Sequence, residues 1–470
     1  MGTLPDARKT HIIIAALPFY GHVRPLRPLA KELAARGYSV TFITGSVNQK
    51  QIEAIPGVDF VPLTGRADYH PDRLQEDFPG RPEGMTVLFD IEHIFIGPLH
   101  DQFQTLQEVM VGAQANGKDI VLIQDASFVG SMPLLLGSPL ALRVPVVGIG
   151  HFPLMLLSKD TAPFGSGLQS QGEEINDKMN AGAIQMFSGI QGSLRAALER
   201  YNCSRDLPSE FPVDNWILLP DVYCQLCPPA LEPQRSSLPK SIRFAGTLIG
   251  GNDKKALPEW WHSFVADTND TRPLIIVTSG SLPGLNVNDL ILPTINACTN
   301  LPVRLVVCAV HISLPPDLTL PSNTRWAQWI AFEDIFPYTA FVVSSGGYGG
   351  ISQAFANGIP MILAGTTEDK VETGLRAEAT GAAINLKTQT PSVEMVKEAI
   401  EKMLEDDEGY KAKADGLKKA YAECDAVGSV IGAVEELTEK FYGRKHDSGI
   451  STPAVGGAEL GSARLSDSRD

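Results

Sequence analysis

The 470-residue sequence predicts an α/β protein of two units, each built on a parallel sheet. Three observations carry that expectation. A β–α–β pattern opens the chain, a second α/β series follows a proline-rich stretch, and a glycine-rich strand–loop–helix–strand segment runs from Ala340 to Gly365. The length exceeds what one hydrophobic core organises, which favours two domains.

His11 to Leu17 (HIIIAAL) is a continuous apolar run, as in a parallel strand covered on both faces. After the loop PFYGH, Leu26, Leu29, Ala30 and Leu33 recur at helical spacing between Arg24 and Arg36. Gly37 suits a helix C-terminus, and Ser39 to Thr44 is the next strand. Leu88 to Leu99 is apolar and aromatic, either pocket lining or core. Asp119 to Gln124 reads as a strand ending at Asp125, and Val144 to Gly148 as a further short one. Ser209 to Arg235 is proline-rich and extended, so the first domain is expected over 1–225, with an interdomain linker at 226–241. The second domain, 242–443, opens with Ile242 to Gly246. Its strands are expected at Leu274 to Thr278, Arg304 to Ala309, Trp326 to Ile330, Phe341 to Val343, Ile359 to Leu363 and Ala382 to Leu386. Helices are expected at Ile351 to Asn357, Val393 to Leu404 and Lys411 to Phe441. The composition of 444–470 (Gly, Ser, Ala, Asp and Arg) predicts a disordered tail.

A net charge of −15 argues against a nucleic-acid binder, which presents a basic face to phosphates. The longest apolar stretch, Met132 to Leu157, is interrupted by Pro139, Arg143, Pro145, His151 and Pro153, so no membrane span is expected. Without an apolar signal core near Met1, the expected location is cytoplasmic. Cys224 and Cys227 have metal-like spacing, but no second pair or nearby histidine completes a ligand set, so no metal is assigned.

Two places carry candidate chemistry. His22 stands where the first strand meets the first helix, and a helix N-terminus there disfavours imidazolium, leaving a neutral base. Asp125 ends another strand on the same sheet edge. It reads either as the partner that orients His22 or as the N-cap of a segment starting near Ala126. In the second half, the glycines at 346, 347, 349 and 350 open a helix. That is compatible with an anion cradle and equally with an ordinary tight turn; neither the dinucleotide nor the P-loop spacing is met.

With these residues in view, LPFYGHVRPLRPLAKELAARGYSVTFIT and WIAFEDIFPYTAFVVSSGGYGGISQAFANGIPMILAGTTEDK resemble the family-1 UDP-dependent glycosyltransferases of GT-B fold, closest to the microbial natural-product and xenobiotic branch. The resemblance spans Thr10 to Tyr442. It implies two Rossmann-like domains facing a cleft, a UDP-sugar co-substrate, a small lipophilic hydroxyl acceptor, and inverting transfer without a metal. His22 is implied as general base and Asp125 as its partner. On the donor side it implies Trp329 against the uracil and Gly280 and Ser281 at the phosphates. Ser345, Gly346, Gly347, Tyr348, Gly349 and Gly350 are implied at the diphosphate, Gln353 at the ribose, and Asp369 and Lys370 at the sugar. Phe19, Tyr20, Phe128, His151 and Phe152 are acceptor-side candidates, each either pocket wall or core. The chain departs from the family pattern at Ser345 (usually histidine), at Ala331 and Phe332 (usually Pro-Gln), at Gln353 (usually acidic) and at Lys370 (usually glutamine). A non-catalytic nucleotide-sugar-binding module and a GT-B epimerase or cell-wall glycosyltransferase are the alternatives. The sequence fixes no oligomeric state.

Overall fold

The computed structural model describes residues 7, 9–82, 86–248, 256–280, 286–310 and 312–443. Within them, two all-parallel sheets are formed. The first has strands β1 (Thr10–Ala15), β2 (Ser39–Thr44), β3 (Val58–Pro62), β4 (Asp119–Asp125), β5 (Val146–Gly150), β6 (Val222–Gln225) and β7 (Ile242–Phe244), in the order β3-β2-β1-β4-β5-β6-β7. The second has β8 (Leu274–Thr278), β9 (Arg304–Cys308), β10 (Thr324–Ala327), β11 (Thr339–Ser344), β12 (Met361–Leu363) and β13 (Ala383–Asn385), in the order β10-β9-β8-β11-β12-β13. The continuous apolar runs are explained by burial on both faces. Ile12 and Ile14 enter one core, and Ile13 and Ala15 enter the other, following the two-residue period of a strand.

Each sheet reverses its strand order once near its centre, between β1 and β4 in the first and between β8 and β11 in the second. Loops leaving adjacent strands in opposite directions open a crevice at that point, where ligands of α/β sheets bind. His22 and Asp125 follow β1 and end β4. Gly280 and the glycine loop follow β8 and β11.

The division of the chain differs from the sequence reading in three places. Ile242–Phe244, expected to open the second domain, pairs with β6 and closes the edge of the first sheet. Val222–Gln225, inside the stretch read as extended and proline-rich, is a fully buried strand of that sheet, and the free Cys224 and Cys227 are buried beside it. The single helix expected over 411–441 is two helices, Tyr410–Ala422 and Ala426–Thr438, broken where Asp425 caps the second by accepting from the Gly428 amide at 2.8 Å. The first places Ala414, Leu417 and Tyr421 in the second unit's core. The second returns to put Val430, Ile431, Val434 and Leu437 into the first unit's core. Smaller shifts occur too: β5 begins at Val146 rather than at 144, because Pro145 has no amide to donate to the ladder. The tail, 444–470, lies outside the described residues.

A buried ionic cluster joins the two units. Arg376, on the helix Lys370–Ala379, donates from Nε to Glu232 Oε2 and from Nη1 to Glu372 Oε2, each at 2.9 Å. The remaining carboxylate oxygens take backbone amides of the first unit, Leu154 N at 2.8 Å on Glu232 and Gly165 N at 3.0 Å on Glu372. Burial opposes the charge on Arg376, but the two carboxylates outweigh it and hold the guanidinium firmly protonated. Glu232 lies in the segment read as a linker, which is therefore an anchored strap.

Candidate active site

The first half-site grows from the end of β1. Phe19 leads into the helical turn Tyr20–Val23, which carries His22. His22 Nδ1 stands 2.8 Å from Asp125 Oδ2 at the end of β4. Asp125 is fully buried and all its acceptor capacity is used: Oδ2 also takes Leu17 N at 3.1 Å, while Oδ1 takes Ser127 N at 2.9 Å and Ser127 Oγ at 2.8 Å. Burial alone would raise this carboxyl, yet the neighbouring imidazoles and the Leu17 amide hold it well below the usual carboxylate range. A permanent carboxylate on Nδ1 fixes the ring so that Nε2 is its acceptor. The charge nearest His22 is thus this carboxylate; His22 itself lies within the short turn, not ahead of a helix end. Asp125 also closes a local Asx turn through Ser127, but no helix starts near Ala126, the next helical turn being Val129–Ser131 with Phe128 at its N-cap, so the helix-capping reading of Asp125 is not realised.

Around His22 the side chains are aromatic. Phe19 lies 5.3 Å from its ring, Phe95 6.2 Å and His151 4.4 Å, edge-on. Trp216 and Tyr69, both buried, pack behind these rings, 5.7 Å from Phe95 and 5.4 Å from Phe19. His151 is buried among them, which lowers its pKa to about 4, so it is a neutral imidazole. Phe152 rims the same group, 5.0 Å from His151. Phe128 does not belong here: it is fully buried in the core with Ile13, Leu122 and Val146. Of the aromatics missed, Phe95 falls in the apolar 88–99 run, but a π-helical stretch, Asp90–Ile96, sets its direction, and no 3.6-residue pattern reveals that. Ser127 had a usable signal, a serine two residues after an aspartate at a strand end. Trp216 had none.

The second half-site is the glycine loop. Gly346 has φ +88°, a conformation open to glycine, and Gly347 begins the helix Tyr348–Ala356. A Cβ at Gly347, Gly349 or Gly350 would meet nothing within 4 Å, so the first turn of that helix borders open space. The Gly346 and Gly350 amides are bonded to Ser344 Oγ and Gly347 O, while those of Tyr348 and Gly349 lie in the first turn, where no intrahelical acceptor exists. Gly280 (φ +87°) sits beside it, 3.5 Å from Ser345 Oγ for an added Cβ. Ser281 lies outside the described residues. Several expected donor contacts are otherwise employed. Ser345 is buried and its hydroxyl donates to Ser279 O at 2.7 Å, binding the end of β11 to the turn after β8. The Tyr348 hydroxyl is buried against Gln225 Nε2 at 2.9 Å, a contact between the two units. Lys370 is buried and pairs with Glu368 and Thr367 Oγ1. Gln353 accepts from Arg24 Nη2 at 3.0 Å across the cleft, and Tyr20 lies 6.0 Å from that guanidinium. Burial pushes the Asp369 carboxyl up to about 6, against the opposing pull of the Lys370 ammonium beside it. Trp329 is half-buried in a shallow hollow with Leu257, Pro258 and Ile330, and Phe332 stacks on Phe336 at 4.6 Å.

The Ser345 contact yields a prediction. Ser345→Ala should weaken thermal stability by about 1 kcal/mol. Ser345→His must place a larger ring in the buried space behind Ser279, and transfer should fall with the displaced turn; a histidine variant with tighter UDP binding and full turnover would contradict this.

The chain is 36% identical over 447 residues to UDP-glycosyltransferase 2 of Phaeomoniella chlamydospora, covering 92% of this chain and 97% of that protein. It belongs to the UDP-glycosyltransferases. UDP-glucosyltransferase A1 of Starmerella bombicola is 30% identical over 456 residues, with 95% of each chain covered. Residues 295–437 of this glycosyltransferase match the model of the erythromycin biosynthesis protein CIII-like C-terminal domain. The calicheamicin glycosyltransferase CalG4 superposes with a TM-score of 0.68 at 17% identity, over 92% of this chain and 99% of CalG4, so the fold is GT-B. The matched segment, 295–437, contains the glycine loop described above.

Proposed function

We propose that this enzyme is an inverting transferase that moves glucose from UDP-glucose to a hydroxyl of a small lipophilic acceptor, a phenol, flavonoid, polyketide, terpenoid or lipid. The observation that carries the reading is the 2.8 Å His22–Asp125 pair at one switch point, with the glycine-rich helix start beside open space at the other. His22 Nε2 takes the acceptor proton while the hydroxyl oxygen attacks the anomeric carbon. The carbon–oxygen bond to the β-phosphate breaks, its electron pair goes to the phosphate, and the glycine-loop amides meet that charge. Asp125 stabilises the imidazolium so formed. The part-buried aromatics Phe19 and Phe95, backed by Tyr69 and Trp216, suit a flat or greasy acceptor. Asp369 accepts from sugar hydroxyls, while Lys370 supports the loop from beneath. Trp329 offers an indole face to the uracil.

No step in this scheme needs a divalent metal. His22, Asp125 and His151 do bring ligand atoms within 4.8 Å of one another, but the Asp125 oxygens are already hydrogen-bonded. The reaction is placed in the cytoplasm, where UDP-sugars are supplied; among the described residues no helix is long and apolar enough to cross a membrane. The test is incubation with UDP-glucose, UDP-galactose and UDP-glucuronate against phenols and aliphatic alcohols, with products read by mass and anomeric configuration. A β-glucoside from UDP-glucose, formed in the presence of chelator, is expected. An α-glucoside would overturn inversion, and a metal-dependent rate would overturn the metal-free scheme.

A further inference from the structure

The glycine loop offers amides and a helix N-terminus to an anion, yet the side chains expected to add donors there are committed. The Ser345 hydroxyl goes to Ser279 O, and the Lys370 ammonium is buried against Glu368. A cation reaches this helix from the other unit. Arg24, two residues beyond His22, donates from Nη2 to Gln353 Oε1 at 3.0 Å, and Gln353 Nε2 donates to Gly349 O at 3.0 Å. One amide group and two hydrogen bonds therefore separate the guanidinium from the first turn of the helix, at most about 8 Å. The space in front of Gly347, Gly349 and Gly350 is open. Gln353 is neutral, so it orients Arg24 without cancelling its charge, and a planar guanidinium matches phosphate oxygens with paired donors.

We propose that Arg24 is a donor-binding residue supplied across the cleft, contacting the diphosphate of the sugar nucleotide on the side opposite the glycine amides and exchanging Gln353 for phosphate oxygens. The inference rests on the UDP-sugar reading above and extends it. As the anomeric carbon–oxygen bond breaks and its electron pair passes to the β-phosphate, Arg24 faces the developing charge while His22 holds the acceptor proton. Both groups then ride on one six-residue segment, Phe19 to Arg24, so seating the nucleotide draws the base toward the sugar.

The test compares the full chain with Arg24→Ala, Arg24→Lys and Gln353→Glu, using UDP by calorimetry at low and high salt and uridine by ligand-observed NMR. Arg24→Ala should weaken UDP by about tenfold or more, flatten its salt dependence and leave uridine unchanged. Arg24→Lys should retain part of the affinity. Gln353→Glu, which gives Arg24 a competing carboxylate, should weaken UDP relative to uridine while melting no earlier than the parent. Equal UDP affinity in the parent and Arg24→Ala overturns the inference alone, as does an equal loss of UDP and uridine. Failure of the unaltered protein to bind UDP overturns the donor reading and this inference together.

Discussion

Replacing His22 with alanine is expected to lower kcat by about 10²- to 10⁴-fold while leaving UDP affinity intact. The ring is bonded through Nδ1 to Asp125 and surrounded by Phe19, Phe95 and His151, so its loss removes a proton acceptor and little of the donor surface. The size of the loss should depend on the acceptor. An aliphatic alcohol holds its proton tightly and needs the base throughout the attack. A phenol acidic enough to ionise at neutral pH arrives as its own nucleophile, and the deficit should shrink toward unity. Rates for a series of substituted phenols, plotted against acceptor pKa for both proteins, measure this directly. A deficit independent of acceptor pKa would assign His22 to positioning, and undiminished turnover would remove it from the chemistry.

Asp125→Asn is expected to cost about 10³-fold in kcat, or about 4 kcal/mol of transition-state stabilisation. The amide keeps the volume and the Leu17 contact through its oxygen, but it carries no charge to stabilise imidazolium. In that orientation its NH2 faces the Ser127 amide, and in the flipped one it faces both the Leu17 amide and His22 Nδ1, where the carboxylate accepted hydrogen bonds. The same substitution changes the acid limb of stability. The folded Asp125 carboxyl is held below its unfolded value, so its contribution is present above about pH 4 and is lost as pH falls toward the folded value. Urea unfolding between pH 7 and pH 3 should therefore show a shallower acid loss in the asparagine variant. Parallel curves would mean that folding does not lower the Asp125 pKa, and a steeper loss in the asparagine variant would mean that the folded protein holds Asp125 protonated.

The local elements were legible in the sequence because their signals are local. Buried parallel strands advertise themselves as unbroken apolar runs, as His11 to Leu17 and Leu274 to Thr278 do, and glycines mark the loop that opens the helix at Tyr348. The pairing of His22 with Asp125 was also within reach, since parallel strands end on one side of a sheet, although 103 residues separate the two. Burial, by contrast, is decided by neighbours. Phe128 and Phe95 are the same residue type on loops near one sheet edge, yet one fills the core and the other faces the histidine. The proline-rich stretch hid a buried strand, because Val222–Gln225 is four residues long and its ladder partners lie far off in sequence. The last helix is apolar on the face it buries, but only assembly shows that this face belongs to the first unit.

The sequence by itself determined two parallel-sheet units, a histidine and an aspartate on one edge, and a glycine loop on the other. What the tertiary structure decided is how polar groups are spent. Ser345, Tyr348, Lys370 and Gln353 have the right chemistry for a donor, yet buried hydrogen-bond donors and acceptors must be satisfied, and each has found a partner within the fold. Those pairings leave the first-turn amides of Tyr348 and Gly349 beside open space. They also bring Arg24, which no sequence pattern singles out, to the far side of the same space.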